Sequence, residues 1–289
     1  MSSQDILIMT LNGLSSGLTL MLVALGLTLV FGILHIINLA HGELYMMGAY
    51  CVWWLSERMG VNYWLAIVVA MIIIAFVGVL MERHIFRPFR GILIPSLVVS
   101  IGLMLFLQSS ILLSTGMGEK VIEPVFHGHL TLLGVSLSFE RVMIGVIAIV
   151  LVAGVLLFLK YARTGQAIRA VAQNAEAAGL QGISLNSISR ITMIMGCSLA
   201  AAAGGLLGPI FYLDYLMGFP VLLKALLAVV IGGMGSVGGV ILASLIIGVV
   251  ESFAITLIGP EIAEIILFLM VIVILLIRPS GFFGLELRA

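Results

Sequence analysis

Charge is what this chain has least of. Only 9% of its 289 residues are Asp, Glu, Lys or Arg, against about 25% in soluble domains. A soluble fold of this length cannot cover its surface with 13 basic and 13 acidic side chains. Cysteine is almost missing. Cys51 and Cys197 both sit in apolar runs, which argues against disulfide or thiolate-metal chemistry and leaves small-residue packing as their role. No G-x-x-x-x-G-K-[ST] phosphate loop occurs, so the chain does not bind ATP by that route. A spaced arginine series of the voltage-sensor kind and a potassium-type filter are also missing. No intramembrane carboxylate with a basic partner stands out as a proton relay. Glu251 is the one strong candidate for a buried acid, while Asp214, Glu261 and Glu264 read as solvated helix ends at the outer interface.

What the chain does have is hydrophobic length: 62% of it is apolar and its mean hydropathy is +1.31. Runs long enough to cross hydrocarbon, about 17–25 residues, fall near 6–34, 63–82, 93–113, 141–160, 189–210, 238–257 and 262–277. Two shorter runs lie near 42–56 and 222–234. Continuous Leu/Ile/Val/Ala/Met stretches, with no barrel-like alternation, make these spans helices. The expected fold is therefore an all-α polytopic transmembrane bundle of about eight to ten spans, one domain over residues 1–289. The opening "MSSQD" has no basic n-region, and the apolar stretch behind it is too long for a signal-peptide core, so it is expected to remain as the first helix. Basic residues orient the chain. Arg83, Arg87 and Arg90, then Lys160, Arg163, Arg169 and Arg190, then Arg278 and Arg288, mark cytoplasmic segments. Counting back puts the N-terminus outside and the C-terminus in the cytoplasm, with about nine crossings.

Two apolar runs are interrupted by polar or glycine-rich stretches. Unwound backbone at membrane depth is tolerated only where it is buried in protein or lines a cavity. The first interruption is "NLAHGELY", residues 38–45. Asn38 suits a left-handed helix end, Gly42 a turn, and Glu43 the first turn of the next helix. His41 and His35 straddle the break, and two histidines with Glu43 could also ligate a metal, although pore lining or a helix junction fits better. The second is "IGGMGSVGG", 231–239, with five glycines in nine residues. It reads either as close helix packing or as a tight turn between two half-length helices beside a solute path. Each interruption is expected to precede a short helix ending near an acid, Glu57 or Glu251. Gly233, Gly235 and Gly238 also match G-x-G-x-x-G, but with no βαβ unit around them the dinucleotide reading fails. Candidate pathway residues are thus Asn38, His41, Gly42, Glu43, Gly232, Gly233, Gly235, Ser236, Gly238 and Glu251.

The polar loop 161–188 reads as helix. Ala167, Ile168, Val171, Ala172, Ala175 and Ala178 form a small-residue face, opposite Arg169, Gln173, Asn174 and Glu176. Gly179 and Gly182 interrupt it, and Asn186 is a plausible N-cap for the next span. Such a face is too small to hold lipid strongly but suits a groove on another protein. A connector without a partner is the bland alternative.

Four stretches in this order resemble the permease subunits of ABC importers for branched-chain amino acids. They are "GLTLVFGILHIINLAHGELYMMGAY" (26–50), "RTGQAIRAVAQNAEAAGLQGI" (163–183), "IGGMGSVGG" and "IRPSGFFG" (277–284). The resemblance implies alternating access in a bacterial or archaeal inner membrane, with no catalytic residue in this chain. It implies a second, usually non-identical permease subunit, two ATPase subunits that bind the ATP, and a periplasmic or lipid-anchored solute-binding protein. No cofactor, metal or nucleic acid is expected; the remaining neighbour is membrane lipid. Residues 165–182 would be the segment coupling to the ATPase, with Arg169, Glu176, Ala177, Ala178, Gly179 and Gly182 in it. Related permeases carry urea and short amides, which leaves those as the alternative cargo. A lack of charged pairs in the apolar spans favours a solute neutral overall, zwitterions included. A stand-alone channel or secondary transporter is the reading from a different class; a channel would have no use for an ATPase-docking loop.

Overall fold

A chain crossing hydrocarbon must satisfy its backbone hydrogen bonds within each crossing, and helices do so without neighbours. In the computed structural model, residues 3–132 and 135–283 are described, and they follow this rule. Its elements are α1 (Ser3–Leu34), α2 (His41–Trp53), α3 (Tyr63–Met81), α4 (Leu93–Thr115), β1 (His129–Leu132), β2 (Val135–Ser138), α5 (Phe139–Tyr161), α6 (Arg163–Gln173), α7 (Ala175–Leu180), α8 (Leu185–Leu207), α9 (Gly218–Gly232), α10 (Val237–Ile258) and α11 (Pro260–Ile277). Among the described residues seven helices are long and apolar enough to cross a membrane: α1, α3 with its irregular extension to Phe89, α4, α5, α8, α10 and α11. α2 and α9 have only 13 and 15 residues, too few to cross alone at about 1.5 Å per residue. All nine apolar runs are thus helices, and the chain is a multi-pass helical bundle. Gly284 and Arg288, used above in the C-terminal motif and in the orientation, lie outside the described residues.

Small residues decide which helices touch, because in lipid the association rests on close backbone packing. "GLSSG" at 13–17 of α1 lies on "SLIIG" at 244–248 of α10. A Cβ at Gly13 would come 2.6 Å from the Val249 Cα, and one at Gly17 2.9 Å from the Ser244 carbonyl oxygen. The pair is antiparallel. α3 is antiparallel to α8: the Tyr63 hydroxyl donates to the Gly205 carbonyl at 2.9 Å, and Gly78 abuts the Cys197 thiol farther along. α2 runs the same way as α8, with Gly48 on Ala201, Gly204 on Tyr45 and Gly205 on Val52. α1 and α8 cross at Gly26 and Gly196, each within reach of the other's carbonyl oxygen.

These directions place the short helices. α9 forms a hairpin with α10 across Gly232 and Gly239, so it runs with α1 and against α2. α2 and α9 therefore head in opposite directions, and they meet N-terminus to N-terminus. Gly42 faces the Gly218 carbonyl, and Gly218 faces the Gly42 carbonyl. The meeting point lies near the middle of the bilayer: the His41 ring sits against Gly26, where α1 crosses the midpoint of α8. Residues 35–40 and 208–217 dip to this level from opposite sides, so each short helix completes one crossing together with its irregular lead.

Between α4 and α5 lies something the sequence reading missed, an antiparallel β1–β2 hairpin with His129 opposite Ser138. Its base is held by Glu140, whose carboxylate accepts from the Phe126 N–H at 2.6 Å. Phe126 packs between Trp64 and Phe139, with ring centroids 5.6 and 5.5 Å away. The same loop pins the lead into α9: Lys120 and Leu213 exchange backbone hydrogen bonds at 3.0 and 2.8 Å.

Several local expectations change. The left-handed residue ending α1 is His35, φ 52°, and not Asn38. Gly42 is helical, and its lack of a side chain serves close packing, not a turn. The glycine-rich turn joins α9 to a full-length α10, so Glu251 lies within a long helix and not at the end of a short one. The α8 N-cap is Ser184; the Asn186 side chain is engaged elsewhere.

Gly42→Ala should destabilise the protein by about 1–3 kcal/mol, because the new methyl would sit 2.3 Å from the Gly218 carbonyl oxygen and 2.7 Å from the Leu222 Cβ. Gly154→Ala meets nothing within 4 Å and should stay within about 0.5 kcal/mol. Thermal unfolding of the two variants in detergent checks the contrast; equal melting temperatures would mean that α2 and α9 do not touch at Gly42.

Candidate functional site

Four groups of residues carry the polar chemistry of this otherwise apolar molecule. The first is the mid-membrane junction, where Asn38, His41 and Glu43 are all fully buried. Asn38 turns the chain by accepting the Ala40 N–H on its side-chain oxygen at 3.0 Å. The His41 ring faces the Val23 backbone without a well-formed hydrogen bond to either nitrogen. Glu43 lies in the first turn of α2, as its charge favours. One of its oxygens accepts from the Gln108 amide of α4 at 2.8 Å. The other lies 2.9 Å from where a Gly218 Cβ would be, at the start of α9. Each helix N-terminus carries about +0.5 of a charge, and Glu43 is the acidic group set between two of them. Gln108 was not singled out in the sequence; a lone Gln in an apolar run was the available signal. Among the described residues no group of three His, Cys, Asp or Glu could hold a metal ion, so His35, His41 and Glu43 are not brought together as ligands.

The second group is the turn at 231–239. Gly233 and Gly235 adopt φ of 96° and 84°, a conformation side chains resist, and Ser236 caps α10 by accepting the Gly239 N–H at 3.2 Å. Gly232 is packed against Gly239, while Gly235 and Gly238 are exposed. The chain after α11 returns here: the Phe282 and Phe283 N–H groups donate to the Ile231 and Gly232 carbonyls at 2.7 and 3.2 Å. That return satisfies two of the carbonyls a helix C-terminus leaves open, and it gives the "RPSGFF" stretch a structural role.

The third is a pair the sequence reading missed. Lys224 of α9 and Glu251 of α10 form an ion pair, with side chains 25% and 16% exposed. The expectation that the apolar spans lack a charged pair is thereby corrected. Lys224 alone in "VLLKALLAVV" was the signal, but its partner lies 27 residues away and only the α9–α10 hairpin unites them.

The fourth lies in the polar loop 161–188. α6 and α7 form an angled pair in which Asn174 caps α7 by accepting the Ala177 N–H at 2.9 Å. Gly182 closes α7 at φ 81°. The apolar face of α6 and α7 is occupied within the chain: Gly165, Ile168, Val171 and Ala178 are buried, and Gly165 sits on the Phe158 carbonyl. Ala172 of the expected small-residue face is exposed. The free face consists of Glu176, Ala177, Gly179, Leu180 and Gln181, with Leu180 88% exposed. Arg169 donates to the Lys160 carbonyl at 3.3 Å at the edge of a 390 Å³ cavity between α1, α5, α6 and the start of α10. Beside this pair, Arg90 bridges the fully buried Glu82 and Asn186 at the start of α8, the latter at 2.8 Å. The end of α3, the lead into α4 and the start of α8 are therefore joined at this point.

Comparison with known proteins agrees over nearly the whole chain. The model of a family described as "Branched-chain amino acid transport system / permease component" matches residues 9–275. The high-affinity branched-chain amino acid transport system permease protein BraD of Pseudomonas aeruginosa is 36% identical, and the alignment covers 94% of each chain. LivH of Escherichia coli K12, named in the same way, is 32% identical with the same coverage. A probable LivH of Methanocaldococcus jannaschii is 26% identical over 92% of this chain and 89% of its own. Among solved structures, PsaBC from Streptococcus pneumoniae in complex with Fab superposes with a TM-score of 0.51 over 93% of this chain and 91% of that one. At 12% identity, that match speaks for the fold alone.

Arg90→Ala should lower stability by about 3 kcal/mol, since it leaves the Glu82 carboxylate buried without its cation. Arg90→Ala/Glu82→Leu should recover most of the loss. Thermal unfolding of both variants measures it, and an unchanged melting temperature for the single variant would show that Arg90 does not hold Glu82.

Proposed function

The chain belongs to the family of branched-chain amino acid transport permease components, and on that premise we propose how its parts move solute. It is the membrane subunit of an ABC importer for branched-chain amino acids, a multi-pass inner-membrane protein and a transport subunit in place of a catalyst. ATPase and binding-protein components work with it. In the finer reading, two permease subunits, this one and a non-identical partner, enclose the pathway. Two ATPase subunits bind and hydrolyse the ATP, and a periplasmic or lipid-anchored binding protein delivers the amino acid on the side of the N-terminus. The C-terminus is cytoplasmic, and this chain holds no cofactor of its own.

The observation that carries the coupling role is the α6–α7 surface. An apolar Leu180 almost wholly exposed among small and polar neighbours, on a helix pair whose other face is fastened to the bundle, is a dock for a partner groove. Movement of an ATPase bound there reaches α5 directly and α8 through the short 181–184 link. Arg169, Glu176, Ala177, Ala178, Gly179 and Gly182 therefore serve coupling: Glu176, Ala177 and Gly179 by contact, Ala178 and Gly182 by shaping the turn, Arg169 by tying α6 to the end of α5. At the other end, Asn38, His41, Gly42 and Glu43 hold the junction whose rearrangement opens the route, and Gly232, Gly233, Gly235, Ser236 and Gly238 hold the turn on its cytoplasmic side. Packed helix contacts switch between discrete arrangements, which suits alternating access. The four buried polar atoms at the junction without a hydrogen bond, on Asn38, His41 and Glu43, mark it as the place where the present arrangement is least committed.

Glu176→Lys and Gly182→Trp should each reduce amino acid uptake at least about tenfold, the scale of losing a hot-spot contact, with the permease still inserted; uptake in proteoliposomes with the ATPases reads this, and unchanged rates in both variants would refute the coupling role. For the cargo, the cognate binding protein should melt at higher temperature with leucine, isoleucine or valine. A shift with urea alone would move the assignment to the urea and amide carriers.

A further inference from the structure

We propose that Lys224 and Glu251 form the station at which the charged head of the amino acid is held in transit, Lys224 taking the α-carboxylate and Glu251 the α-ammonium. This rests on the importer reading above and adds the recognition chemistry to it. Ionisable side chains at membrane depth pair with one another, and they face a protein interior or a water-filled route because hydrocarbon cannot solvate them. Glu43 follows the first course, sealed at 0% exposure against Gln108. The Lys224–Glu251 pair does not: both side chains remain partly open. Hydrocarbon cannot solvate charge left open within a span, and in a pathway that two permease subunits enclose such a charge is placed to meet water or a polar solute.

The location agrees. Lys224 stands six residues after Gly218, less than two turns from the point where α9 meets α2 in mid-membrane, and Glu251 stands on the outward-running α10. Any shift of α9 at the junction moves Lys224 against Glu251. The pair sums to zero charge, and so does a zwitterionic amino acid. Lysine carries three donors and no acceptor, and a carboxylate only acceptors. Each therefore keeps capacity for a second partner of opposite charge. Inserting the zwitterion replaces one ion pair by two without leaving net charge in a low-dielectric region, where unpaired charge is most costly. Urea or a short amide has no separated charges to offer, so the pair favours amino acids over those solutes.

The test uses proteoliposomes holding the permease with its partner permease and ATPases, with leucine delivered by saturating binding protein. Lys224→Met and Glu251→Gln should each lower leucine uptake at least about tenfold, while the ATPases still copurify and binding-protein-stimulated ATP hydrolysis continues. The charge-reversed Lys224→Glu/Glu251→Lys variant should rebuild the link between α9 and α10 yet leave uptake low, because the head group then meets each charge from the wrong helix. Recovery of uptake in the reversed variant would make the pair a structural brace and overturn the proposal, as would unimpaired uptake in the two single variants. If Lys224→Met does not assemble, Lys224→Arg reads the same point: it keeps the charge and changes its geometry, so uptake should fall with assembly intact, and wild-type uptake would overturn the proposal. If wild-type vesicles move urea and not leucine, the importer reading itself fails, an outcome distinct from any of these.

Discussion

Two helix ends that stop in the middle of a bilayer dictate much of the rest of this structure. An N-terminus in hydrocarbon leaves open N–H groups and a partial positive charge, and here two of them face each other. They are tolerated because Gly42 and Gly218 let the backbones touch and because Glu43 is set where both positive ends converge. Placing that acid requires α4 to come near enough for Gln108 to reach it. Bringing the ends together requires α1 and α8 to cross closely at Gly26 and Gly196, and the His41 ring fills the space beside that crossing.

The same close packing makes the molecule suited to switching. Contacts built on glycine and alanine against backbone leave few intermediate positions. The lead segments 35–40 and 208–217 are tied differently, the first to α4 through the Ser100 hydroxyl on the Ile37 carbonyl at 3.3 Å, the second to Lys120 and to the Tyr50 hydroxyl at 3.4 Å. Each side of the junction is thus attached to a different surface of the protein. At the end of the bundle where α8 begins, Arg90 joins the end of α3, the lead into α4 and the start of α8, so these spans are linked there.

Lys224 and Glu251 stand apart from this economy of small residues. Two charges retained within apolar helices, partly uncovered, contribute little to stability that a pair of leucines would not, since desolvation offsets most of their attraction. Their retention makes sense when the charges have something to recognise.

The class of molecule was legible from composition, and the nine helices from unbroken apolar runs, because both depend only on local sequence. The two interruptions were legible as well, since Asn38, Gly42 and five clustered glycines conflict with a continuous helix. What those interruptions do was not. Gly42 reads as a turn in isolation and acts as a contact, because its neighbour, Gly218, is 176 residues away in sequence. Asn186 reads as a cap and instead binds Arg90; the apolar face of α6 reads as a dock and is spent on the chain's own α5. Lys224 gave no hint of a partner until α9 folded back on α10. Local chemistry determined what each segment could become, and only the tertiary structure decided what it meets, because in an apolar chain most specificity lies in which small residue comes to rest against which.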